Sequence, residues 1–201
     1  MILHNLFPVP VAKLELGREF SSEEIDFVLN QNTHKNAGNT TSNDHYVLRN
    51  DTLSNLLEFI QKSLDQYLHE VHAPKNETSL RITQSWLNYT KPTEWHHKHF
   101  HPNSFVSGVL YMKAARECDK IYFYNESYRQ IDIATENFNL YNSKSWWFEV
   151  NAGDLLLFPS SLAHMVQVVT GEDTRISLSF NTFPVGKIGI ENELYALELR
   201  D

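Results

Sequence analysis

The sequence predicts a mainly β domain, a sandwich or barrel, with helices packed on it from the N-terminal side. Two observations carry this. After Pro74, short runs rich in β-branched and aromatic residues alternate with turn residues at regular spacing. Before Pro74, apolar residues recur at helical intervals. At 201 residues, 41% hydrophobic and 12% aromatic, the chain can bury a real core as one domain. No repeat or linker divides it.

Taken in order, Leu6-Phe7-Pro8-Val9-Pro10-Val11-Ala12-Lys13-Leu14-Glu15-Leu16 reads as extended and peripheral, because its prolines cannot donate to a central ladder. Ser21-Ser22-Glu23-Glu24 is a capping box, followed at helical spacing by Ile25, Val28 and Leu29. Gln31 to Asp44, rich in Asn, Thr and Gly, reads as a loop. From Asp51 to about His72, the residues Leu53, Leu56, Leu57, Ile60, Leu64, Tyr67, Leu68 and Val71 make one apolar stripe, which is core packing. The expected strands are Ser79–Thr90, Ser104–Met112, Lys120–Tyr124, Ser145–Val150, Asp154–Phe158, His164–Val169 and Arg175–Pro184. The polar run Tyr128–Lys144 reads as an excursion between strands that shapes substrate access.

Composition excludes some classes. A net charge of −8 without a Lys/Arg cluster argues against a broad nucleic-acid footprint, leaving only a local basic groove open. The single cysteine, Cys118, forms no intrachain disulfide, suits a reducing compartment, and reads as a small buried residue rather than a nucleophile. The N-terminus, Met1-Ile2-Leu3-His4-Asn5-Leu6-Phe7-Pro8, has no basic region, long apolar run or cleavage site. The expectation is a soluble cytoplasmic protein with no signal peptide and no membrane association.

Chemistry concentrates in Trp95-His96-His97-Lys98-His99-Phe100-His101-Pro102, which holds four of the ten histidines. On extended backbone, residues i and i+2 share a face, so His99 and His101, or alternatively His97 and His99, can converge on one metal ion. A catalytic metal needs a third ligand from a distant strand. His164 follows Gly153-Asp154-Leu155-Leu156-Leu157-Phe158-Pro159-Ser160-Ser161-Leu162 and stands where a strand edge would be. Further on, Arg175, Ser177, Ser179 and Asn181 alternate with Ile176, Leu178 and Phe180, giving one polar and one apolar face. If the polar face lines a pocket, the Arg175 fork can hold a carboxylate, with Ser177 adding a bond. Gly153-Asp154 reads as a tight turn, and Trp95, Trp146 and Trp147 as core or rim packing. His96 and His97 read as loop residues, and the remaining histidines have no converging partners.

These segments together resemble the 2-oxoglutarate- and Fe(II)-dependent dioxygenases. The residues that carry the resemblance are Trp86-Leu87-Asn88, His99-Phe100-His101-Pro102 with Ser107-Gly108-Val109-Leu110-Tyr111, Gly153 to His164, and Arg175 to Asn181. No one motif is specific, but their order and spacing are. The resemblance implies a double-stranded β-helix, a jelly roll or cupin-like fold. It spans a single domain over 1–201, with helical support about 20–72 and β-helix core about 79–184. It implies an enzyme with Fe(II) as cofactor and 2-oxoglutarate as co-substrate, consuming O₂ and oxidising an unknown substrate by hydroxylation. Metal ligands would be His99, His101 and His164. Arg175 would pair with the distal carboxylate of 2-oxoglutarate, supported by Ser177, while Asn88 and Tyr111 would line the pocket.

One position departs from the broader family, which places Asp or Glu where this chain has His101. Three neutral imidazoles leave the metal charge uncompensated by protein, which bears on turnover more than on metal binding. Were the pair His97 and His99, His101 would sit outside the ligand set. The competing readings are a cupin-like metal-binding module without turnover and a structural jelly-roll protein. Neither has a use for Arg175. Oligomeric state is not encoded legibly, and a homodimer stays open.

Overall fold

The computed structural model describes residues 1–127 and 131–200, so the first three residues of the Tyr128–Lys144 run lie outside it. Two antiparallel sheets face each other. The larger one runs β1 (Ala12–Glu15), β9 (Asp154–Pro159), β6 (Val106–Lys113), β11 (Arg175–Ile188), β4 (Thr78–Thr90), β3 (Thr40–Ser42), β2 (Thr33–Lys35), with β12 (Leu197–Leu199) also beside β11. The smaller runs β5 (His96–His99), β10 (His164–Val166), β7 (Lys120–Tyr124), β8 (Ser145–Glu149). The expected strands are all present, though β10 ends at Val166 and β11 extends past Pro184.

Pleating divides the larger sheet between two cores. Leu87, Leu110, Met112, Leu155, Leu157, Ile176, Leu178 and Phe180 face the helices, α1 (Ser22–Leu29) and α2 (Ser54–Tyr67). Their alternate neighbours Val109, Tyr111, Leu156 and Phe158 face the smaller sheet, packing with Ile121, Phe123 and Val150. Helix α1 starts at the expected capping box: Ser21 Oγ accepts from Glu24 N–H, and the Glu24 carboxylate accepts from Ser21 N–H. Arg18 closes on the same carboxylate at 2.6 Å. The α2 stripe is buried from Leu53 through Leu68, but residues 68–72 wind as a wider π-turn that leaves Val71 exposed.

The Gln31–Asp44 segment is not a loop. It folds as the β2–β3 hairpin, turning at Gly38, whose φ of +88° a side chain would resist. Its edge joins β4 by a short antiparallel ladder that hydroxyls reinforce. Thr41 Oγ1 donates to Leu87 O, and Leu87 N–H donates to Ser42 Oγ. Cys118 is only partly buried, because it sits in the turn before β7 instead of in a core. Among the described residues, no helix is long and apolar enough to cross a membrane.

Gly108 needs its missing side chain for space. A Cβ there would meet the Phe180 ring at 2.1 Å across the β6–β11 ladder, with Phe180 fully buried. Gly108→Ala is expected to cost about 1–3 kcal/mol by forcing Phe180 off its rotamer. A urea-unfolding midpoint equal to the parent's would contradict this.

Candidate active site

The ends of both sheets meet at a narrow cleft. From the larger sheet, pairing register sets a row of polar side chains. Ser177 on β11 lies opposite Asn88 on β4 and Tyr111 on β6, and Ser179 lies opposite Trp86 and Val109. Because β11 alternates as its sequence suggests, Arg175, Ser177 and Ser179 are buried toward this cleft while Ile176, Leu178 and Phe180 face the helices.

From the smaller sheet and its flanking turn come the histidines. β10 pairs His164 with His99 on β5. His101 lies just past β5, held by its backbone N–H to Ser160 O at 2.9 Å and set 5.7 Å, centroid to centroid, from Trp86. Ser160 itself is tied to Ser104 and Ser107 by hydroxyl contacts of 2.7 and 2.8 Å. One side-chain nitrogen from each of His99, His101 and His164 lies within 4.8 Å of the others.

The ring orientations are defined by backbone. His99 Nδ1 lies 2.7 Å from His97 O, and His164 Nδ1 lies 2.9 Å from Leu162 O. A carbonyl only accepts, so both Nδ1 atoms carry the proton, and each Nε2 of the neutral ring keeps a lone pair for a metal. Burial, reinforced by the neighbouring imidazoles, pushes the His164 pKa down to about 3 and that of His101 to about 4; burial also lowers that of His99. All three are therefore neutral near pH 7.

This has a consequence for the metal-free protein. An unfolded histidine titrates near 6.5, above the folded values of His101 and His164, so the unfolded state binds more protons below that pH. Stability is full above about pH 6.5 and falls as pH drops toward 4. The expected loss is on the order of 1–2 kcal/mol for each histidine at pH 5. Urea midpoints at pH 7.5 and pH 5 check it, and equal midpoints would refute it.

At the other end of the cleft, Arg175 is 3% exposed, with its Cζ 4.9 Å from the Tyr111 ring centroid. Its counter-charge is Asp119, with Oδ1 4.0 Å from Arg175 Nε and Oδ2 accepting from Ala115 N–H. Neither Arg175 Nε nor Asp119 Oδ1 makes a hydrogen bond of good geometry, nor does Tyr111 Oη or Asn88 Oδ1. Burial pushes the Tyr111 phenol up, so it is neutral and able to donate. The Asn88 amide donates to Ser179 Oγ at 3.1 Å. The donor set thus fits a metal at the imidazole end and an anion at the arginine end. Of the polar atoms left unsatisfied around the cleft, Arg175 Nε and Tyr111 Oη are donors that a bound acid would engage.

All seven expected site residues line this one cleft. His96 does too, contrary to its reading as a loop residue. β5 and β10 pair with a register shift between His164–His99 and Val166–His96, a bulge that turns His96 onto the same side as His99. Its ring stacks on His99 at 4.7 Å, and burial lowers its pKa to about 2. His97 is likewise part of the β5 strand. Asp119 was also missed; no sequence spacing links a turn acid to an arginine so far downstream. Trp86 was legible, standing two residues before Asn88 on one strand face.

Residues 84–181 match the protein-family profile described as "Putative 2OG-Fe(II) oxygenase". That match covers just under half of the chain, and the profile is that of an enzyme family built on Fe(II) and 2-oxoglutarate. Solved structures agree on the jelly-roll fold. The chain resembles HygX from Streptomyces hygroscopicus, determined with nickel and 2-oxoglutarate bound, at a TM-score of 0.60 with 11% identity over 87% of this chain and 82% of that one. A 2OG-Fe(II) oxygenase-family oxidoreductase from Burkholderia pseudomallei gives 0.59 with 13% identity over 86% and 83%. A prolyl hydroxylase from Trichoplax adhaerens, in complex with a peptide fragment, gives 0.57 with 15% identity over 86% and 83%. No curated protein sequence matches this chain.

Proposed function

We propose that this chain is an Fe(II)- and 2-oxoglutarate-dependent hydroxylase in which His99, His101 and His164 hold the iron while Arg175 and Ser177 hold the distal carboxylate of 2-oxoglutarate. One observation carries the assignment: a three-imidazole cluster and a buried arginine with unsatisfied neighbours open into the same cleft. When bound, the metal and O₂ would couple oxidative decarboxylation of 2-oxoglutarate to oxidation of a substrate C–H bond.

The chain's own residues supply placement. His97 O and Leu162 O fix the tautomers of His99 and His164, so their lone pairs face the ion without a competing proton. Arg175 offers its guanidinium as a fork to a carboxylate in a dry environment, where a charge-assisted pair is strongest. Tyr111 supplies a further hydroxyl donor beside it, and Asn88 orients Ser179 through its amide. Asp119 keeps the guanidinium from being an isolated buried charge before co-substrate arrives. With His101 in place of a carboxylate, the ligand set carries no negative charge, which favours a dianionic co-substrate over neutral competitors.

The same reading takes 1–201 as one domain and the partly buried lone cysteine as suited to the cytoplasm. A metal-binding module without turnover would not need Arg175 buried at the far end of the cleft. The test is anaerobic: Fe(II) protein should gain a visible absorption band on addition of 2-oxoglutarate, and under air should form succinate from it. Unchanged metal content in His99→Ala, His101→Ala and His164→Ala variants would remove the site assignment.

A further inference from the structure

The β5 bulge gathers a second trio of imidazoles outside the assigned ligand set. One side-chain nitrogen from each of His96, His97 and His99 lies within 4.8 Å of the others. The rings are clustered in pairs: His96 to His97 at 5.0 Å, His96 to His99 at 4.7 Å, and His97 to His99 at 4.8 Å. On regular extended backbone His96 would point away from His97 and His99; the extra residue in the β5 register is what brings it round.

A solvated polar strand would not need this arrangement. His97 Nδ1 is shielded from solvent and has no hydrogen-bond partner, although His97 O is engaged by His99. Lys98, between them in sequence, turns its ammonium to Glu126 at 2.9 Å and over the Tyr124 ring. The Lys98 charge is therefore paired away from the trio, which leaves Arg175 as the cation whose field reaches His96.

We propose that His96, His97 and His99 form a second position for a divalent transition ion, alternative to the one at His99, His101 and His164. His99 is common to both. Its Nδ1 is committed to His97 O, so its single free nitrogen serves one ion at a time. An ion seated at the second trio withdraws His99 from the first and disarms it. The donors are all imidazole with no carboxylate among them. That selects Cu(II), Ni(II) or Zn(II) over the hard ions Mg(II) and Ca(II), and the usual affinity order favours Cu(II) and Zn(II) over Fe(II).

Copper tests this in the full-length protein. One equivalent of Cu(II) on the parent should give two superimposed nitrogen-ligand EPR signals, and His97→Ala should leave only one. Zn(II) provides the complementary measurement. A His101→Ala, His164→Ala double variant should still bind one equivalent against a chromogenic chelator, and adding His97→Ala should abolish it. A single Cu(II) signal unaffected by His97→Ala overturns the proposal, whether or not the double variant folds. The copper and zinc readings use no 2-oxoglutarate, so a failed co-substrate assignment leaves them standing, and their failure leaves iron bound at the first trio intact.

Discussion

His164→Ala is expected to lose iron almost completely. Removing an outer partner of a metal ligand already costs roughly ten- to a hundredfold in affinity, and removing the ligand itself costs more than about a hundredfold. His164 cannot be replaced locally. It enters from β10, and it is ordered by Leu162 O and packed against Phe158 and Phe123. Iron content after desalting, with 2-oxoglutarate-dependent absorption as a second readout, checks the result. Retention of one iron per chain would show that the ligands lie elsewhere.

Arg175→Lys is expected to raise KM for 2-oxoglutarate roughly ten- to a hundredfold, from the loss of about 1.5–3 kcal/mol of charge-assisted bonding, with iron content unchanged. Lysine is the informative substitution. It keeps a cation against Asp119, whereas alanine would leave that acid buried and unpaired at a cost of about 3–5 kcal/mol and confuse folding with binding. Lysine lacks the planar fork, so it presents a point charge where two parallel bonds are needed. If KM stays at the parent value while kcat falls, Arg175 does not hold the co-substrate, and the anion end of the cleft has another owner.

What the sequence disclosed follows the physics of each element. The strands of both sheets were legible because their burial is periodic; Ile176, Leu178 and Phe180 against Arg175, Ser177 and Ser179 is one example. The convergence of His99 with His101 was legible from their i, i+2 spacing, and His164 from the need for a third donor on a distant strand. His96 was not legible because a bulge breaks that period, and no residue in His96-His97-Lys98-His99 announces one. The β2–β3 hairpin was hidden because its short ladder to β4 is reinforced by the hydroxyls of Thr41 and Ser42, which look like loop chemistry in sequence. Asp119 was hidden because an ion pair between a turn and a distant strand has no periodicity at all.

The pairing of β11 with β4 and β6 also makes the cleft a gauge. Arg175 and Ser177 are carried on one strand that is laddered to β4 through both residues and to β6 from Ile176 onward, with a register shift before Ser177. Sliding that strand by one residue would turn its polar face toward the helices, so its smallest permissible step is two residues, about 6.6 Å. A dicarboxylate lengthened by one methylene differs by far less than that. The sheet cannot adjust to it, and the anchoring arginine cannot follow. On the proposed assignment, the acid is therefore measured against a scale with no intermediate divisions, so shorter and longer 2-oxo diacids are excluded by the backbone itself.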